Sequence, residues 1–372
     1  MKAADRPSRP VRVGVLGCGQ IAQIMHLPFL AESPDFEIVG VCDLSRRTVD
    51  AMARRYGARL ATTSSSALIA DREIEAVIVC SYDHAPAAIA TLRAGKHLLV
   101  EKPLAFTPAE GRAVREAAEA AGTVAMVGYM KLFDPGFEEG LRRFAECGQQ
   151  RVRTVHDLAG RFDIAKTMYD QERFDDIPAH LLAADRAAVE ARIREHLGTH
   201  AEHAELYTLL LMLAAHDLSV VRVAFGRPDR VAYASSRDPK HLLAVLEYAD
   251  AAPVVFEMGT GARYDWWDEW VGVAGDTAEV RVTFSHPYIR YAPTVISLRE
   301  TRFGMGAETQ VTAPPDDPFR RELQHFAQAI RTGAPVRSTI AGGLADLELA
   351  TDIIAALPLA TGAAPTERSE TR

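Results

Sequence analysis

Val13-Gly14-Val15-Leu16-Gly17-Cys18-Gly19-Gln20-Ile21-Ala22 places the pattern G-x-G-x-x-A directly after a β-branched run and at the start of a helical one, an order that decides the fold. Gly17 permits the tight turn, Gly19 lets backbone approach a pyrophosphate, and the small Ala22 allows a helix to pack closely on a strand. The N–H groups at the helix start, around Gln20 and Ile21, have no partner within the helix and suit an anion. Asp43 stands 21 residues beyond Ala22 at the end of the second β-branched run. A carboxylate placed there accepts hydrogen bonds from both ribose hydroxyls of an adenosine, which favours NAD. Arg46 and Arg47 follow closely and leave NADP open, because a guanidinium can meet a 2′-phosphate. A glycine turn that binds nothing is the alternative, and the strand, the helix and the placed acid argue against it.

Working outward, short β-branched runs at 11–16, 36–42, 74–80, 97–100 and 124–128 alternate with alanine-rich helical stretches such as 108–121, which Thr107 can cap. That alternation predicts a parallel sheet with crossover helices over residues 11–130. Beyond it the pattern changes to irregular helices and then to consecutive extended runs at 229–235, 242–248, 254–259, 266–273, 278–284 and 294–299, which predicts a mostly antiparallel sheet. Helices over 318–331 and 342–356 are expected to close the fold. The reading is an α/β chain: an N-terminal Rossmann doubly wound parallel sheet, then an α+β domain over 131–360 with an open sheet. Residues 1–10 read as a disordered tail and 361–372 as a polar one.

The 42 Lys and Arg against 50 Asp and Glu give a net charge of -8, so no positive field draws in a phosphate backbone and nucleic acid is not an expected partner. Cys18, Cys42, Cys80 and Cys147 are widely spaced, without a C-x-x-C pair. That spacing fits a reducing, cytoplasmic compartment and argues against a metal cluster. No uninterrupted apolar stretch reaches membrane-spanning length.

Lys96-His97-Leu98-Leu99-Val100-Glu101-Lys102-Pro103-Leu104-Ala105, with the glycine turn, Val127-Gly128-Tyr129, His216 and Phe225-Gly226-Arg227-Pro228, resembles the Gfo/Idh/MocA family (glucose-fructose oxidoreductase, inositol dehydrogenase, rhizopine catabolism protein). The resemblance implies a substrate held between the two domains and a bound nicotinamide cofactor. It also implies hydride exchange with a secondary alcohol or ketone of a sugar, cyclitol or related polyol. Assembly would be as a homodimer or homotetramer through the second sheet. Lys102 resembles the family lysine that touches both substrate and cofactor, and His216 the histidine that moves the proton. The chemistry agrees, since an ammonium eases alkoxide character at the carbon giving up hydride and imidazole titrates near neutrality. Gly17, Gly19, Gln20, Ile21, Asp43, Arg46, Ser81, His84, Glu101 and Lys102 are the cofactor-binding candidates. Lys102, Tyr129, His216 and Trp267 are the substrate-binding ones.

The pattern is broken in one place. An aspartate often precedes the family histidine by one helical turn and another acid follows it by three residues, where this chain has Met212 and Ser219. On a continuous helix Met212 shares the His216 face, Asp217 is rotated about 100° away, and Glu205 is about 16 Å distant along the axis. That loss motivates a second reading, a dinucleotide-binding regulator or scaffold without turnover. Asp134 could be brought in by folding, but before Pro135 it reads first as a turn residue.

The stretch 160–206 is longer than the family implies and reads as a lid or assembly arm. Within it 182–197 is expected to be an amphipathic helix built on Leu182, Ala183, Val189, Ile193 and Leu197. His196, His200 and His203 suit a solvated face better than a metal. Trp266 and Trp270 would share one strand face and Trp267 the other.

Overall fold

The computed structural model describes residues 9–160, 162–260 and 267–359. The expected tails, apart from Arg9 and Pro10, and Trp266 lie outside the described residues. Strands β1 (Val11–Leu16), β2 (Phe36–Cys42), β3 (Leu60–Thr62), β4 (Ala76–Val79), β5 (His97–Glu101) and β6 (Ala125–Gly128) form a parallel sheet in the order β3-β2-β1-β4-β5-β6. Helices cover both faces, so the strands are apolar throughout: Val13, Val15, Val77, Ile78, Leu98 and Leu99 are fully buried. Strand order reverses between β1 and β4, and the crevice that opens there is where doubly wound sheets hold ligands. The three-residue β3 is too short to leave a periodic signal in the sequence.

Strands β7 (Gln150–Ala159), β8 (Arg230–Asp238), β9 (His241–Tyr248), β10 (Ala251–Thr260), β11 (Asp268–Gly275), β12 (Ala278–Thr283), β13 (Val295–Arg302) and β14 (Met305–Thr312) make the second sheet, ordered β14-β13-β12-β11-β7-β10-β9-β8. Every pairing is antiparallel except β7 with β10. The runs expected here are found, but two strands are additions. The central β7 carries polar residues on both faces and β14 is largely exposed, so neither shows the apolar alternation that marks a strand. Helices Pro135–Phe144 and Ala215–Phe225 pack on one face of this sheet. Its other face, with His156, Glu257 and Trp270, is only partly covered.

The helix expected to run through His216 is broken. One helix ends at Met212, the next begins at Ala215, and the chain bends by 68° between them. Within 160–206, helix Ala179–Leu197 buries only Val189, Ile193 and Leu197, a narrower stripe than expected because Leu182 is half-buried and Ala183 exposed. Among the described residues no single helix is long and apolar enough to cross a membrane.

Candidate active site

The glycine turn is held by contacts that leave no room for a side chain. Gly17 has φ +92°, and a Cβ on it would lie 2.5 Å from the Ser81 nitrogen and 2.6 Å from the Cys80 carbonyl carbon; only glycine fits. Its N–H donates to the Cys42 carbonyl at 2.8 Å, tying the turn to the end of β2. The next residue continues the link, since the Cys18 N–H donates to Asp43 Oδ2 at 2.8 Å, while Asp43 Oδ1 accepts the Ser45 N–H at 2.9 Å. The carboxylate is therefore pinned beside the turn, with lone pairs left for ribose hydroxyls. Among the described residues a Cβ on Gly19 would meet nothing within 4 Å, so open space lies where a diphosphate approaches. These features fit a dinucleotide.

After the turn the chain makes a π-helical turn, Ala22–His26, which brings buried His26 Nε2 within 2.6 Å of Glu101 Oε1. Burial raises the Glu101 carboxyl, but the His26 bond and the neighbouring positive charges outweigh it and hold the group below its ordinary value. Glu101 Oε2 accepts the Lys102 N–H at 3.1 Å, which orients the lysine at the end of β5.

Lys102 opens into a cleft of about 430 Å³, together with Ile21, Ser81, His84, Glu101, His216 and Trp267. Its Nζ donates to the Met212 carbonyl at 2.6 Å. That carbonyl is free because the helix stops there, so the break at Met212 has a use: a helix-end oxygen parks the ammonium. Burial lowers the Lys102 pKa and Lys131 lowers it further, against the opposing pull of Glu101, Asp157 and Asp217.

The cleft floor is a cluster of charges that sequence reading missed. Lys131 is buried in the 3-10 turn Met130–Phe133. It forms an ion pair with Glu269 of β11 and lies 3.9 Å from Asp217. Glu269 is the direct cross-strand partner of Asp157 on β7, an arrangement that repels unless a cation or a proton intervenes. Asp157, Asp217 and Glu269 bring carboxylate oxygens within 4.8 Å of one another, all buried. Burial and the Asp217 charge push the Asp157 carboxyl well above its ordinary value, and burial raises Asp217 as well. Asp157, Asp217 and Glu269 thus face Lys131 and the nearby Lys102, opposite charges set together where burial makes an unpaired one costly.

Burial, with Lys102 and Lys131 nearby, drives the His216 pKa well below its ordinary value. The ring is neutral at pH 7, and its Nδ1 has no hydrogen-bond partner among the described residues. One helical step further, Asp217 is absent from the cleft lining but joins Asp157, Glu269 and Lys131 in the buried charge cluster.

Tyr129, expected at the substrate, is instead fully buried behind His216, ring centroids 6.1 Å apart. Its hydroxyl bonds Asp346, which is paired with Arg222 at 2.8 Å, and its ring packs edge-on against the histidine. Asp134 caps its helix through the Gly136 and Phe137 N–H groups and accepts the Thr294 hydroxyl; it is a turn residue. Arg46 is drawn off to Asp50 and the Ala61 carbonyl. Trp267 lines the cleft and donates to Glu269 Oε2 at 2.9 Å, while Trp270 stacks on His156 at 5.2 Å on the far side of the sheet. His196 bonds the Thr351 hydroxyl, and the His200 and His203 rings stack on each other.

Two family models match the chain: an oxidoreductase family with an NAD-binding Rossmann fold over residues 11–129, and the C-terminal alpha/beta domain of the same family over residues 208–357. A 4-carboxy-2-hydroxymuconate-6-semialdehyde dehydrogenase from Sphingobium sp. is 34% identical over 34% of this chain and 41% of the relative. An Escherichia coli D-glucoside 3-dehydrogenase is 33% identical over 33% of this chain and 36% of the relative. The chain thus spans only about two fifths of the length of these two relatives. A Bacillus subtilis scyllo-inositol 2-dehydrogenase (NAD(+)) is 23% identical over 87% of both chains. The fold matches KijD10, a 3-ketoreductase from Actinomadura kijaniata solved with NADP and TDP-benzene, with TM-score 0.72, 20% identity, and 94% and 98% of the two chains covered.

Proposed function

The chain belongs to the Gfo/Idh/MocA oxidoreductase family, and on that premise we propose that it interconverts a secondary alcohol and a ketone on a sugar, cyclitol or related polyol, with a nicotinamide dinucleotide bound at Gly17 and Gly19. The observation that carries this reading is one cleft lined by Ile21, Cys80 and Ser81, the neighbours of the glycine turn, and by Lys102, His216 and Asp157. The nicotinamide, when bound, supplies the hydride exchange. Gly19 and the helix start after it hold the diphosphate, and Asp43 the adenosine ribose.

Lys102 exchanges its Met212 carbonyl for the substrate oxygen and stabilises negative charge that develops there. Neutral His216 takes the hydroxyl proton in the oxidation direction and returns it in reduction. The names of relatives acting on inositol and glucosides support a polyol, as does the aromatic wall formed by Trp267 with Phe162 and Tyr288, since such rings stack on the apolar faces of sugars. Location in the cytoplasm, no nucleic-acid or membrane partner, and a homodimer or homotetramer formed through the partly covered face of the second sheet belong to the same proposal.

The test is turnover by purified protein with oxidised and reduced nicotinamide dinucleotides and a panel of cyclitols, sugars and keto-sugars, read at 340 nm. Turnover of at least one polyol, lowered about a thousandfold in Lys102→Ala, is the expected result. Dinucleotide binding without turnover of any would favour the regulator that Met212 suggested.

A further inference from the structure

The insertion after β7 does not hang free of the first domain. The Gln23 side-chain amide donates to the Glu172 carbonyl at 3.0 Å and accepts the Glu172 N–H at 2.9 Å, so it binds the strap as a neighbouring strand would. Arg173 donates to Gln20 Oε1 at 2.9 Å, and the Arg47 guanidinium lies 4.3 Å over the Phe174 ring. The strap ends on Asp176, whose Oδ1 accepts the Ser45 hydroxyl at 2.5 Å and whose Oδ2 accepts the Arg47 N–H at 3.0 Å. These donors lie at the first turn of helix Arg46–Tyr56, immediately past Asp43, the carboxylate set to meet the ribose. In folds of this kind a 2′-phosphate is received beside that carboxylate.

We propose that Asp176 is a cofactor-specificity residue: its carboxylate occupies the donors that a 2′-phosphate needs, so the protein takes NAD(H) and refuses NADP(H). Among the described residues the neighbouring donors already have acidic partners. The Ser45 N–H is bonded to Asp43, Arg46 pairs with Asp50 at 2.7 Å, and Arg47 faces Asp175 at 3.6 Å. A 2′-phosphate would also bring its own negative charge against Asp43 and Asp176 at once, a repulsion that acts on NADP and not on NAD. The arrangement explains how two arginines after Asp43, which left NADP open in the sequence, can coexist with NAD selectivity. It rests on the dinucleotide reading above.

Calorimetric titration of the full chain with NADH and NADPH, on wild type, Asp176→Ala, Asp176→Asn and Asp175→Ala, tests it. Wild type should bind NADH about a hundredfold more tightly than NADPH, and Asp176→Ala should narrow that ratio about tenfold by tightening NADPH, with NADH affinity kept within about threefold. Asp176→Asn keeps an acceptor for the Ser45 hydroxyl and the strap in place, so it should narrow the ratio less; it also supplies the ratio if the Ala variant binds neither. An unchanged ratio in both Asp176 variants overturns the proposal. So does an equal change in Asp175→Ala, which would make net charge rather than position the cause. Wild type that binds neither dinucleotide would instead overturn the dinucleotide reading itself.

Discussion

The two ends of the cleft are built in opposite ways. The dinucleotide end is made of backbone from adjoining turns: Gly17 packs against Ser81 and Cys80, and Cys18 and Ser45 hold Asp43. The chemical end is made of side chains that converge from separate elements: Lys102 from β5, Lys131 from a 3-10 turn, Asp157 and Glu269 from paired strands, and His216 and Asp217 from the helix after the break. A backbone site tolerates exchange of most neighbouring side chains and fails where a Cβ intrudes. A converged site depends on charge balance, so losing one member strands the rest.

The contrast is sharpest at Lys102. Lys102→Ala should lower kcat about a thousandfold while leaving dinucleotide Kd within a fewfold; steady-state kinetics alongside calorimetry checks this. A parallel collapse of cofactor binding would break the division into two ends. Lys131→Met comes next, since it leaves Asp217 and Glu269 facing each other without their cation. It should destabilise the fold by about 3 kcal/mol in denaturant titration, and the double variant with Glu269→Gln should recover part of the loss.

His216→Asn should cost about a hundredfold in kcat/KM at pH 7 and should change the pH profile. In wild type the acid limb of the oxidation reaction lies below pH 6.5, because burial and two lysines keep the ring neutral beneath its ordinary value. The alkaline limb lies below 10.5, because burial lowers Lys102. The variant should lose the acid limb and keep the alkaline one. Stability follows the same sign: below pH 6.5 an unfolded histidine takes up a proton that folded His216 refuses, so wild type loses stability as pH falls through that range and the variant loses less. The smallest effect belongs to the backbone end. Gly19→Val should weaken dinucleotide binding about tenfold with an unchanged Tm, since its Cβ enters open space; a fall in Tm would show the turn to be structural.

The same contrast explains what could be read from the sequence. A backbone site leaves a local signature, because glycines at fixed offsets and a carboxylate at the end of the next strand are all it needs. Accordingly β1 and β2 fell where expected, and Gly17, Gly19 and Asp43 are adjacent. Lys131, Asp157 and Glu269 are far apart in sequence. Their signal was weak but present: a lysine inside Met130-Lys131-Leu132-Phe133, and acids on the strand faces that carry Val155, Ala159, Val271 and Val273. Those acids occupy positions where a buried face otherwise takes apolar residues. Helical periodicity misled at Met212 because nothing in Leu211-Met212-Leu213-Ala214 announces the 68° bend. Tyr129 stands among the substrate candidates through the resemblance carried by Val127-Gly128-Tyr129; its hydroxyl bonds Asp346.

A crystal structure of the protein with saturating NADH tests the account most directly. It should show the diphosphate within hydrogen-bond distance of the backbone N–H groups at Gly19 and Gln20, the adenosine ribose on Asp43, and the nicotinamide C4 facing the space between Lys102 Nζ and His216. A dinucleotide bound elsewhere, or a nicotinamide ring turned away from Lys102, would contradict it.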